Sequence, residues 1–361
     1  MALSAYWTIP AQGDPSSRGR RGWTTGGRSG NDHLTDPRPG RFTDADHLVQ
    51  IARGAESVGF DGLLVPYDPQ GEESWVVASA LAREVRRLRI VTEFQPGFAT
   101  AVYTAKLSLS FQRYFADRLA WKPALTNGDE RQRAVGDGLS GNAVIARVDE
   151  LLTIADGVWH QSGFTHLGAF FEVEGGGLFD PTTNAGGFTR RIGRRPRPGV
   201  FLDGTSDAEL ELSARHADVH LFDLDDPPAV AAAISRHRQL AAEHGRTVRY
   251  GVRAAVLARE TFDEAWTAAR RAWAATPGTG DDGEFGSLRT ERAVWRGFDR
   301  LGLPVRAGLV GAFADVADRL RALHDVGVSV VVLDAVDHLA EVYRVGEFLL
   351  PLLDQQPAAA P

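Results

Sequence analysis

The sequence predicts an α/β fold in which eight parallel strands close into a (β/α)8 barrel, with insertions after strands 1, 4 and 7. Three observations predict it. Short apolar runs alternate with amphipathic helical stretches along nearly the whole chain, the rhythm of parallel β/α architecture. Eight such runs occur, near 3–9, 61–66, 89–95, 119–125, 199–203, 218–222, 248–257 and 328–333, a number that favours a closed barrel over an open doubly wound sheet. No G-x-G-x-x-G follows the first run, which argues against a dinucleotide-binding sheet. A length of 361 residues suits one barrel domain with insertions, so residues 1–361 are read as a single domain.

Leu3 to Ile9 is the first strand, and Pro10-Ala11-Gln12-Gly13-Asp14 turns out of it. A glycine- and arginine-rich loop over 15–41 follows, read either as a solvated loop or as a cationic flap. Asp46 to Val58 is an amphipathic helix with Leu48, Ile51, Ala52 and Ala55 inward. Asp61 to Pro66 is a strand, Glu73 to Arg86 a helix, and Leu88 to Gln95 a strand stopped by Pro96-Gly97. The helix 101–115 leads to a strand at 119–125 in which Pro123 is unexpected, because proline cannot donate to a sheet ladder. After the helix 144–159, residues 160–198 break the rhythm with a small hairpin near 170–177 and a basic loop at 190–197. Strand and helix then alternate again through 275. Residues 276–307, rich in glycine, are expected to form a mobile lid, and the tail 354–361 to fray.

Composition narrows the function. The net charge of −7 disfavours a nucleic-acid partner. With no cysteine, disulfides, thiolate nucleophiles and cysteine-held metals are excluded. Met1 to Pro10 lacks the basic start of a signal peptide, and no apolar run approaches the ~20 residues that span a bilayer, so a cytoplasmic protein without a membrane partner is expected. His237 and His244, seven apart on one helix, lack a carboxylate at ligand spacing and read as surface histidines, so no metal is expected. Trp266 and Trp273 read as packing, and Arg190 to Arg197 as a solvated loop.

In a barrel the chemistry sits where strands end. Those ends carry Gln12, Tyr67–Asp68, Gln95, Thr126–Asn127, Asp203–Thr205, Asp223 and Asp334. The stretch 199–207 stands out. The run Val200-Phe201-Leu202 ends on Asp203-Gly204, and a helix opens at once with the Ser206…Glu209 capping-box pattern. Such a turn aims backbone N–H groups and a positive helix end above the strand, which suits a phosphate. The alternative is that Thr205 and Ser206 only cap the helix.

Several motifs resemble the bacterial-luciferase-like flavin monooxygenases, and within them the alkanesulfonate monooxygenase branch. They are Tyr6-Trp7-Thr8-Ile9-Pro10 with Gly13-Asp14, the run Ala55 to Pro66, Asp117-Arg118, the Leu202 to Asp207 turn, Arg249 to Arg253 with Glu264-Ala265-Trp266, and Leu309-Val310-Gly311. The most specific is His338-Leu339 with Tyr343-Arg344-Val345-Gly346-Glu347. The resemblance implies a TIM-type barrel that takes reduced FMN from a separate NAD(P)H:flavin reductase. It implies an O2-dependent oxygenation, through a peroxyflavin, of a small and anionic organosulfur substrate of the alkanesulfonate type. It also implies pairing into a homodimer or homotetramer, with a heterodimer as a further option.

On this resemblance Thr205, Ser206, Gly204 and Asp203 form the phosphate turn, helped by Arg147. Gln12, Gln95, Thr126 and Asn127 line the ring or substrate, and Arg253 holds the oxygenated anion. Arg300 and Arg306 are the candidates for the lid arginine. The chain departs from the branch at several positions. Gln12 and Ala255 stand where it has histidines, Gly71 where it has a cysteine, Arg147-Val148 for an arginine-tyrosine pair, and Lys122 to Gly128 for a flavin-lining motif. Losing two imidazoles removes the groups that titrate near neutral pH. Two alternatives therefore stand beside the monooxygenase: a catalytically silent, flavin-free partner barrel, and an oxidoreductase that uses F420.

Overall fold

The structure is a computed structural model that describes residues 3–11, 43–125, 130–178, 195–291 and 293–354. In chain order its first half comprises β1 (Ser4–Thr8), α1 (Asp44–Ser57), β2 (Gly62–Val65), α2 (Ser74–Glu84), β3 (Arg89–Phe94), α3 (Ala101–Tyr114), β4 (Leu119–Pro123), α4 (Glu130–Ala134), α5 (Asn142–His160), β5 (Phe164–Leu167) and β6 (Glu172–Gly176). There follow β7 (Gly199–Asp203), α6 (Asp207–His216), β8 (Val219–Asp223), α7 (Pro227–Glu243), β9 (Arg249–Arg259), α8 (Phe262–Ala275), α9 (Asp282–Ser287), β10 (Arg289–Glu291), β11 (Val294–Trp295), β12 (Gly308–Ala312), α10 (Phe313–Asp325), β13 (Val328–Asp334), α11 (His338–Arg344) and α12 (Leu350–Asp354).

The strands pair in the order β9-β13-β1-β2-β3-β4-β7-β8, and β8 pairs again with β9, so eight strands close the (β/α)8 barrel that the alternation predicts. Capping boxes open three of the helices: Thr43 with Asp46 on α1, Ser206 with Glu209 on α6, and Thr261 with Glu264 on α8. Pro123 is tolerated because it is the last residue of β4, and the ladder resumes at once with Ala124 N–H donating to the Phe94 carbonyl. The hairpin expected near 170–177 begins earlier: β5, at Phe164–Leu167, pairs antiparallel with β6, at Glu172–Gly176.

One expectation is corrected. The strand expected at 248–257 runs on to Arg259; Ala255 pairs with both Asp334 of β13 and Gly308 of β12, and Val256 to Arg259 pair in parallel with β12. β11 and β10 extend the sheet antiparallel from β12. The stretch 276–307, expected as a mobile lid, contains a packed subcore. Phe285, Trp295, Phe298, Leu301, Leu303 and Val305 bury against Trp273 and Ala269 of α8. The indole N–H groups of Trp273 and Trp295 donate to the Gly280 and Phe285 carbonyls at 2.8 and 3.0 Å, so these large rings are buried without an orphaned donor.

The contacts divide the chain into two compact units. One comprises 1–66, 221–236 and 249–361, and the other 67–220 and 237–248.

Candidate active site

Unit 67–220/237–248 carries the ends of β3, β4 and β7. Residue alternation sets which side chains meet there. On β4, Trp121 faces the helices and its indole donates to Ser108 Oγ of α3 at 2.8 Å, so Lys122 points to the opposite face. On β3, Phe94 packs against Trp75 of α2 with ring centroids 5.4 Å apart, so Glu93 points to that same opposite face. Glu93 and Lys122 are register partners. Lys122 is 1% exposed, and its ammonium lies 2.5 Å from Glu93 Oε1 and 2.9 Å from Asp203 Oδ2 at the end of β7. The second Glu93 oxygen accepts the Tyr67 N–H at 3.2 Å.

A second network covers the residues after β3. Arg147, on α5, donates both terminal nitrogens to the Asp137 carboxylate at 3.0 and 2.7 Å, and both residues are 7% exposed. Gln95 donates to the same carboxylate and accepts the Gly97 N–H. The Arg147 hydrogen bond, offset in part by burial, holds the Asp137 carboxyl below its usual range. Tyr67 donates to Gln132 Oε1 at 3.4 Å, and burial, partly offset by that bond, pushes its phenol up.

The turn after β7 closes on one oxygen. Glu209 Oε2 accepts the Thr205 N–H and the Ser206 N–H, each at 3.0 Å, and the Ser206 hydroxyl at 2.8 Å. Gly204 has φ +124°, and a Cβ there would stand 2.6 Å from the Glu209 side chain, so this position needs glycine. The donor set therefore converges on a single anionic oxygen, as a phosphate oxygen requires, and the chain's own carboxylate now takes it. The donors suit an anionic oxygen of the kind a phosphate offers, and in this structure Glu209 supplies it.

The outward face of β8 holds a histidine pair. His220 and His237 stack with ring centroids 4.5 Å apart, both fully buried. Burial and the neighbouring His237 push His220 down to about 3, and burial pushes His237 down to about 4. His220 Nδ1 is 2.8 Å from Ser213 Oγ. The surface reading of His237 is thus corrected, because the face of α7 that carries it packs onto β8. His244 pairs with Glu211 at 2.8 Å.

Unit 1–66/221–236/249–361 carries Arg253 on β9. Its guanidinium lies 3.1 Å from Asp223 Oδ1, with side-chain exposures of 24% and 72%. Asp334, at the end of β13, is buried 3.4 Å from His338 Nε2. Arg300 is 54% exposed and pairs with Glu284 of α9 at 3.5 Å, which makes it part of the subcore's surface.

The structure thus brings Asp203 to Lys122, Gln95 to Arg147 through Asp137, and Thr205 and Ser206 to Glu209. It gives both terminal nitrogens of Arg147 to Asp137, and it gives Arg300 to Glu284. Gln12, Thr126 and Asn127 lie outside the described residues. Sequence reading passed over Glu93, Lys122 and Asp137 as site residues. The signal for Lys122 was a lysine inside the apolar run Leu119-Ala120-Trp121-Lys122-Pro123-Ala124, which a barrel strand tolerates only when the charge is paired.

Residues 20–329 match the family profile described as luciferase-like monooxygenase. The chain belongs to that family. This luciferase-like monooxygenase family member is similar in fold to several solved structures. The EDTA monooxygenase of Chelativorans sp. BNC1 is 16% identical with a TM-score of 0.75, covering 98% of this chain and 93% of that one. A long-chain alkane monooxygenase is 17% identical with a TM-score of 0.72, covering 98% and 91%. An F420-dependent secondary alcohol dehydrogenase is 12% identical with a TM-score of 0.68, covering 98% and 100%. Among the described residues of this family member, no helix is long and apolar enough to cross a membrane.

Proposed function

We propose that the chain is the oxygenase of a two-component system that uses reduced FMN and O2 on a small organosulfur anion of the alkanesulfonate type. The observation that carries the reading is the turn at Gly204–Ser206, whose three donors meet at one anionic oxygen in a chain of this family. When bound, reduced FMN supplies the two electrons with which one oxygen atom of O2 enters the substrate and the other leaves as water. The chain's own residues do the rest. The Thr205 and Ser206 N–H groups and the Ser206 hydroxyl hold the phosphate. Gln95, held by Asp137 and Gly97, presents a fixed amide, and Arg147 braces that amide through Asp137. Gln12, Thr126 and Asn127 are proposed to line the ring, from the resemblance. Arg253, with its side chain 24% exposed and paired to the mostly exposed Asp223, is proposed to hold the sulfonate in that carboxylate's place.

A second reading is a flavin-free barrel that serves a partner chain. It is favoured by Glu209, because a bound carboxylate opposes an incoming phosphate at the same donors. A third, an F420 oxidoreductase, shares the phosphate requirement and differs in needing no O2. The deciding experiment is anaerobic titration with reduced FMN, read by quenching of the intrinsic tryptophan fluorescence, in wild type and in Thr205→Ala/Ser206→Ala. Micromolar binding that weakens about tenfold in the double variant supports the flavin reading. No binding at hundreds of micromolar overturns it. Sulfite release from alkanesulfonates, dependent on O2 and on an added flavin reductase, then separates the first reading from the F420 one.

A further inference from the structure

We propose that Lys122 is a positioning residue for the Asp203–Ser206 turn, acting through its ion pair with Asp203. This rests on the reading of that turn as the phosphate site. Lys122 stands between two carboxylates that come from different strands, Glu93 on β3 and Asp203 on β7. Those side chains are 16% and 15% exposed, so neither has water enough to stabilise its charge alone. The ammonium compensates both at once, and its place is fixed because Trp121 is anchored on the other face of β4 and Pro123 follows.

The connection to the turn is short. Asp203 is the last residue of β7, Gly204 at φ +124° follows, and Thr205 and Ser206 are the donors. At its far end the turn is tied to α6 by the Ser206–Glu209 capping box. The Lys122–Asp203 pair ties its near end. When a ligand draws the Glu209 carboxylate away from the donors, the far end keeps, of its capping box, only the Glu209 N–H bond to Ser206 Oγ at 3.3 Å, and Lys122 keeps the N–H groups aimed. Without the ammonium, Glu93 and Asp203 repel each other, and the near end of the turn loses its ion pair.

Glu93→Gln provides the internal control. It loosens the same cluster, yet it leaves the Lys122–Asp203 pair and therefore the turn. The experiment titrates reduced FMN and reduced riboflavin anaerobically into wild type, Lys122→Met, Asp203→Asn and Glu93→Gln, below the melting temperature of each. The readout is the ratio of the FMN affinity to the riboflavin affinity, which isolates the phosphate. Lys122→Met and Asp203→Asn are expected to lower that ratio about tenfold while Glu93→Gln leaves it unchanged. A ratio that stays the same in the first two variants, or falls equally in all three, overturns the proposal and leaves a bracing role. Should Lys122→Met fail to fold, Asp203→Asn against Glu93→Gln decides. Wild type that binds both flavins equally, or neither, overturns the phosphate reading and this inference together. Wild type that prefers FMN, with variants that do so equally, overturns this inference alone.

Discussion

At the end of β4, Lys122 is 1% exposed between two carboxylates, whereas on β9 the Arg253 side chain stays 24% exposed against Asp223, itself 72% exposed. Both are cations on barrel strands, paired with acids from neighbouring strands. Burial makes them different devices. Lys122 cannot leave its partners without abandoning charges that lack water, so it serves geometry. Arg253 is only partly enclosed and Asp223 is mostly exposed, so water screens their pairing more than it screens the Lys122 pairs. The same kind of charge is therefore enclosed in one unit and left partly open in the other.

The comparison breaks first at Lys122. Lys122→Met is expected to destabilise the fold by about 3–5 kcal/mol in denaturant unfolding, the usual effect of stranding buried charge. A loss below about 1 kcal/mol would put Lys122 in the same class as Arg253. Arg253→Ala is expected to change stability by less than about 1 kcal/mol. If Arg253 holds the substrate anion, kcat/KM for a sulfonate falls about a hundredfold, or about 2.7 kcal/mol, and Arg253→Lys recovers part of it.

The histidine pair sharpens the comparison with uncharged burial. Above about pH 6.5 both rings are neutral whether the chain is folded or unfolded. As pH falls toward about 4, the unfolded chain takes up protons that the folded chain refuses, because His220 and His237 are held down to about 3 and about 4. Stability is therefore lost through that window, by about 1.4 kcal/mol per pH unit for each histidine. His237→Phe should roughly halve the pair's contribution to the slope of unfolding free energy against pH, and an unchanged slope would remove the pair from the account.

The smallest effect is expected at Glu209. Glu209→Gln should lower stability by about 0.5–1 kcal/mol through the weakened capping box. It should also raise the affinity for reduced FMN several-fold and leave riboflavin unaffected, as read in the same titration. Equal gains for both flavins would show that Glu209 does not compete with phosphate.

Much of this was legible without coordinates. The eight strand positions follow from apolar runs alternating with helical stripes, because period and order are local properties of the chain. The capping box at Ser206 and Glu209 was legible for the same reason. The subcore at 276–307 was not, because Phe285, Trp295 and Phe298 follow no period and gather only when the chain doubles back onto α8. His237 was misread because a face of α7 that looks polar in sequence is covered by β8.

What the sequence alone determined is the order of the elements, the barrel they close and the turn with its donors. What only the tertiary structure decided is the state of the charges. Whether a lysine in an apolar strand meets one acid or two, and whether an arginine keeps its water, depend on residues tens of positions away. Burial sets the value of each charge, and burial is a property of the assembled strands, which no single stretch carries.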